Sequence, residues 1–161
     1  MRKPYPFLLL LLCAGCCVHY QLGTRSRLPI STISVAPVKS CVDGPNLRGV
    51  LWQQIRQEIQ QIPNLRLVDG DDANGELTVR IVSVERGSSL IGSNGGGGQR
   101  ITIKALCTVL DRRTGTVLIA DRLVRAFVDV PWGQTAYDGQ ALPALAAALA
   151  REIRSLVANS W

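Results

Sequence analysis

Cysteine is the residue type whose spacing first suggests chemistry in this chain. Of the five, Cys13, Cys16 and Cys17 crowd the N-terminus, while Cys41 and Cys107 lie far apart in the body. A thiolate can act as a nucleophile beside a base, bind a metal with other ligands, pair in a disulfide or accept a lipid. The first route calls for a base and the second for further ligands, and the only histidine, His19, has no second histidine or carboxylate at ligand spacing. It reads as a solvated side chain. Carboxylates fall mainly in turn-like stretches, at Asp69, Asp71, Asp72, Asp111 and Asp138, and the Asp69 to Asp72 stretch lacks the alternation and closing glutamate of a calcium loop. The run Gly92-Ser93-Asn94-Gly95-Gly96-Gly97-Gly98 lacks the Gly-Lys-Ser/Thr ending of a phosphate loop and joins two strand patterns. It reads as a flexible hairpin loop. No hydrolytic constellation, metal set or cofactor motif emerges, so the sequence predicts a binding or assembly protein and not an enzyme.

Lipid attachment is the cysteine chemistry that the neighbouring residues support. Arg2 and Lys3 precede the apolar run Phe7-Leu8-Leu9-Leu10-Leu11-Leu12, and the small pair Ala14-Gly15 stands directly before Cys16. A positive start, a short apolar stretch and small residues at a cleavage point make a secretory signal. The segment resembles a bacterial lipobox, with Cys13 where leucine is usual. Cys16 is the acceptor that fits, because Cys17 would place Cys16 in the scissile position and Cys13 would place leucines there. The apolar run from Phe7 to Cys17 is about half of the roughly 20 residues that a spanning helix needs. An acylated Cys16 would instead hold the chain on a membrane surface, at about 0.8 kcal/mol per buried CH₂.

These boundaries divide the chain into a signal over 1–15, a polar tether over 16–29 and a single domain over 30–161. Without Arg2 and Lys3 the remaining 16 basic residues face 12 acidic ones, a net charge of +4. The charges are scattered. No basic stripe suits nucleic acid, whereas anionic lipid or glycolipid phosphate matches both sign and compartment. Cys41 and Cys107 are left as a bridged pair or as two free thiols, since spacing alone does not give the Cα separation a disulfide requires.

Periodicity supplies the elements that would position these charges. Ile30 to Lys39 alternates as a first strand, with Pro37 marking an edge or a departure from the sheet. Asn46 is placed to cap a helix running from Leu47 to Ile62 through Val50, Leu51, Ile55 and Ile59, with Pro63 as its stop. Leu65 to Val68 forms a short strand. A third strand puts Leu77, Val79 and Ile81 on one face and Thr78, Arg80 and Val82 on the other. A fourth, from Arg100 to Leu110, turns Ile101, Ile103, Ala105, Cys107 and Val109 inward. The turn Asp111-Arg112-Arg113-Thr114-Gly115 leads into a fifth strand reaching Val130, with a bulge near Asp121 where the alternation changes phase. From Gln140 an alanine-rich helix carries Leu142, Leu145, Leu149, Ile153 and Leu156. The expected fold is α+β, a mostly antiparallel sheet of four to five strands with two helices on one face.

The order of these features resembles a known family. A lipobox cysteine followed by Tyr20-Gln21-Leu22-Gly23, a strand, a helix, a short strand ending in Val68-Asp69, the hairpin Leu110-Asp111-Arg112-Arg113-Thr114-Gly115-Thr116-Val117-Leu118 and a helix ending near Trp161 is similar to the LptE family of lipopolysaccharide-assembly lipoproteins. That resemblance implies an outer-membrane lipoprotein, facing the periplasm, that sits within an LptD β-barrel and assists lipopolysaccharide delivery to the cell surface. The residues add a compatible surface. Arg80, Lys104 and Arg125 fall opposite the inward positions of three successive strands, and Arg86 and Arg100 flank the glycine run. Such a basic face could meet the phosphates of lipid A. The opening Ile33-Ser34-Val35-Ala36-Pro37 and its helix are also similar to lipoproteins of the CsgG or LpoB type, a secretion-pore subunit and a synthase activator.

Overall fold

The computed structural model describes residues 29–42, 44, 46–90, 97–134, 139 and 141–160. The signal, Cys16, His19, most of the tether, Asp138 and the glycine run up to Gly96 lie outside the described residues. In chain order the elements are β1 (Thr32–Val35), β2 (Lys39–Ser40), α1 (Leu47–Ile59), β3 (Arg66–Leu67), a 3-10 turn (Gly70–Asp72), β4 (Gly75–Leu90), β5 (Gly97–Asp111), β6 (Thr116–Pro131) and α2 (Ala141–Ala158). They build one six-stranded sheet in the order β3-β1-β4-β5-β6, with β2 also paired to β4. The three long strands form an antiparallel meander, and the short β1, β2 and β3 join it in parallel. The α+β architecture therefore stands, with more strands than the alternation gave.

The extra strand comes from Pro37. Ala36 to Val38 break the expected first strand, so β1 and β2 pair separately with β4, at Ile33 opposite Gly75 and Lys39 opposite Arg80. Proline has no N–H for the ladder, which is why the chain leaves the sheet there. The first helix ends at Ile59 rather than Ile62. Gln61 N–H donates to Glu58 O and Ile62 N–H to Ile59 O, both at 3.1 Å, a tightened three-residue turn that leaves Ile62 buried. Asn46 holds the N-cap position without a side-chain cap: its φ is +57°, and only its carbonyl serves, accepting from Val50 N–H at 3.0 Å. Asparagine tolerates that left-handed geometry, so the residue type suits the position by a different route.

Both helices lie over one sheet face, and the residues expected inward are inward. Leu77, Val79, Ile81, Ile101, Ile103, Ala105, Cys107 and Val109 are completely buried and share one core with Leu51, Ile55 and Ile59 of α1 and Leu145, Leu149 and Ile153 of α2. Trp52 Nε1 donates to Val35 O at 3.1 Å, tying α1 to β1. Cys41 and Cys107 are free; Cys41 is exposed and Cys107 buried, so the bridged alternative is excluded. Burial pushes the Cys107 thiol up to about 12, which makes it an inert core side chain.

The turn between β5 and β6 is held by polar contacts at its base. Gly115 adopts φ +69° and its N–H donates to Asp111 O at 2.8 Å, while Arg113 N–H donates to Asp111 Oδ1 at 2.9 Å. Arg112 reaches Glu76 Oε2 at 3.0 Å and Asp71 Oδ1 at 3.1 Å, fixing the turn against β4 and the 3-10 turn. Burial raises the Asp111 carboxyl, but the N–H groups of Arg113 and Thr114, the Thr114 hydroxyl and the Arg113 charge outweigh it and hold it below its ordinary value. A depressed folded value adds stability above the unfolded one, near 4, and that stability is lost as pH falls through the folded value. Asp111→Asn is expected to flatten the acid limb of a thermal-unfolding profile taken between about pH 2 and 6. An unchanged acid limb would assign it to other carboxylates.

Candidate functional site: the uncovered sheet face

Among the described residues no helix lies over the second face of the β4-β5-β6 meander. Directly opposed residues share a face, so the register lays this surface out in rows. Arg80, Leu106 and Leu123 form one; Ser83, Lys104 and Arg125 the next; then Glu85, Thr102 and Phe127; then Gly87, Arg100 and Asp129. The phase is kept by bulges. Val82 is an extra residue in β4 between Ile81 and Ser83, and in β6 Ala120 and Asp121 together oppose Thr108. Asp121 takes φ +38°, with the Thr108 hydroxyl donating to its Oδ1 at 3.0 Å and accepting from its N–H at 3.3 Å. The expected bulge is thus present, and it is what returns Leu123 and Arg125 to the uncovered side.

The five cations named from the sequence differ in circumstance. Lys104 Nζ donates to Glu85 Oε1 at 2.6 Å, and Ser83 Oγ donates to the same oxygen at 2.9 Å. Those two hydrogen bonds, Lys104 first, hold the Glu85 carboxyl below its usual range. Arg100 grips Asp129 through Nε and Nη2, both at 2.8 Å, and its guanidinium stacks 4.1 Å from the Phe127 ring centre. Arg80 and Arg125 are exposed and make no ion pair among the described residues. Arg86 stands opposite Ile101, on the helix side. The Val82 bulge moves it there. The register therefore brings Arg80, Lys104, Arg125 and Arg100 onto one surface and places Arg86 across the sheet from them.

What the cationic pattern missed is the apolar half of this surface. Leu123 is 56% exposed and Phe127 54%, both on this side, and the unpaired bulge residue Val82 beside them is 42% exposed. Single exposed apolar residues are ordinary, but grouped ones among cations describe an amphipathic surface. The signal was present in β6, where Leu123, Arg125 and Phe127 alternate with the buried Val124 and Ala126. Chemically, cations beside aliphatic and aromatic side chains suit an anionic amphiphile, with phosphate on the guanidinium groups and hydrocarbon on Leu123 and Phe127. Among the described residues there is no cluster of metal-binding side chains and no helix long and apolar enough to cross a membrane.

The described residues thus form an α+β fold with a helix-covered core and a basic and apolar sheet face that no described helix covers. Residues 30–160 match the profile of the lipopolysaccharide-assembly family LptE, and the chain belongs to that family. Two structures similar in fold are the hypothetical protein CT253 from Chlamydia trachomatis, with a TM-score of 0.61, 12% identity and coverage of 81% of this chain and 96% of that one, and a minor lipoprotein from Acinetobacter baumannii, with a TM-score of 0.51, 12% identity and coverage of 80% and 92%. Protein XCC0632 from Xanthomonas campestris gives a TM-score of 0.52 at 12% identity, covering 84% of this chain and 86% of that one. At such identities the likeness concerns the fold alone. No curated protein sequence matches the chain.

Proposed function

We propose that the chain is an outer-membrane lipoprotein, acylated at Cys16 and facing the periplasm, that acts without catalysis in lipopolysaccharide transport to the cell surface beside a β-barrel of the LptD kind. Family membership supports the role in lipopolysaccharide assembly. The observation that carries the surface assignment is the row arrangement of Arg80, Lys104 and Arg125 around the exposed Leu123 and Phe127. Arg80 and Arg125 receive phosphate first, having no carboxylate to give up. Lys104 joins once phosphate competes with Glu85, and Arg100 steadies Phe127 at the far end of the surface. Arg86 meets a headgroup that reaches the hairpin end from the helix side.

Anchoring has its own test. Cys16→Ser is expected to abolish metabolic labelling with palmitate and to leave an uncleaved precursor in the envelope fraction. Retained label would move the anchor to another cysteine.

A further inference from the structure

β6 ends the sheet, and from Arg122 to Pro131 it runs in unbroken register with β5 on one side and with no strand among the described residues on the other. A free edge of that length presents a row of backbone donors and acceptors. Helix α2 passes beside it and leaves two hollows. One of about 680 Å³ is lined by Leu118, Arg122, Arg125, Ser155 and Leu156 among others, and a second of about 440 Å³ by Val128, Val130, Pro131 and Ala144 among others. Edge backbone, hydrocarbon, the cations Arg122 and Arg125 and the carboxylate of Glu152 thus meet at the larger hollow, while Asp129, already gripped by Arg100, lines the smaller.

The two arginines lie on opposite sides of the strand. Arg122 is paired with the buried Cys107 and so points to the helix side, while Arg125 is paired with Lys104 on the uncovered side. An inward-pointing charge on an edge strand keeps sheets from pairing at random. An incoming strand that brings its own carboxylate turns that barrier into selection. We propose that the β6 edge accepts an extended segment of a partner polypeptide as an added strand, one carrying two carboxylates three residues apart with two apolar residues between them. The spacing follows from the register: residues opposite Arg122 and Arg125 stand on opposite faces, and the two between them face Leu123 and Val124. A second copy of this chain does not meet the requirement, because antiparallel self-pairing sets residues of the same face against each other: centred on Val124 it places Ala126 opposite Arg122 and Leu123 opposite Arg125, neither of them a carboxylate. The inference concerns a protein partner: it shares Arg125 with the glycolipid face but rests on the β6 edge and Arg122, and so does not depend on that reading.

The test uses the full acylated chain in detergent and a blocked ten-residue peptide with glutamates three positions apart, leucine and valine between them and threonine elsewhere. A second peptide has lysine for both glutamates. The glutamate peptide is expected to bind at least about tenfold more tightly than the lysine peptide, with new hydrogen-exchange protection along β6. Arg122→Glu with Arg125→Glu reverses the preference, which a merely structural role for these residues would not do. Ser155→Trp, on an exposed turn of α2, fills the larger hollow and abolishes binding of the glutamate peptide at an unchanged thermal midpoint. Equal affinity for the two peptides, no binding of either, or full binding by the Ser155→Trp chain overturns the proposal. So does a dimer whose β6 amides are protected without peptide.

Discussion

Charge reversal of Arg80 and Arg125 together is expected to weaken lipopolysaccharide binding by about 2–3 kcal/mol, roughly a hundredfold in Kd at low salt. Each substitution removes one attraction to phosphate and adds one repulsion, and neither breaks an ion pair within the described residues. Both side chains are exposed, so the thermal midpoint is expected to hold. Lys104 is the instructive contrast. Lys104→Glu would place a second carboxylate diagonally across from Glu85, where the lysine now pairs with it, and cost local stability as well as binding, because like charges at that range repel. The loss in the double variant should shrink as salt rises, since screening over a Debye length near 8–10 Å weakens the native attraction too. Unchanged affinity at low salt would remove the sheet face from the account. Measurement by calorimetry against purified lipopolysaccharide, with and without added salt, separates these outcomes.

The second large effect concerns the scaffold that holds the face flat. Leu149 is completely buried on α2, in a helix whose many alanines let it sit close to the sheet while a few large side chains fill the space. Leu149→Ala is expected to cost about 2–5 kcal/mol, from lost transfer free energy and the cavity left behind. Urea unfolding should show a lower midpoint with an unchanged slope. A loss below about 1 kcal/mol would mean that α2 relaxes into the space and is a looser cover than its burial indicates. Because Leu149 lies across the sheet from Arg80 and Arg125, a surviving folded fraction should bind lipopolysaccharide with native affinity.

Much of this fold is legible in the sequence because its information is periodic. Leu77-Val79-Ile81 and Ile101 through Val109 alternate cleanly, and each inward residue is buried. Proline and glycine did their usual local work: Pro37 interrupts the first strand, and Gly115 turns the hairpin at positive φ. Long-range pairing is less visible. Nothing local in Lys39-Ser40 announces a parallel partner in Arg80-Ile81, and nothing in β4 announces that Val82 is an extra residue. That bulge decides the face of everything after it, which is why Arg86 departs from the other cations. The site was half legible for a related reason. Cations are conspicuous in a sequence, but the difference between Arg125, without an ion pair among the described residues, and Arg100, held by Asp129, depends on which residues the register sets side by side. The exposed Leu123 and Phe127 read as ordinary strand hydrophobes until α2 is seen to cover only the other face.

Family membership places the chain in lipopolysaccharide assembly, and the proposed place beside a β-barrel is open to direct measurement. The most direct measurement is a mild-detergent pull-down of the acylated protein from its own envelope, with mass spectrometry of both protein and lipid. The account predicts a stoichiometric outer-membrane β-barrel of the LptD kind together with lipopolysaccharide, the lipid being lost on reversing Arg80 and Arg125. Recovery of a cell-wall synthase or of a homo-oligomeric pore, with no barrel and no lipopolysaccharide, would contradict it.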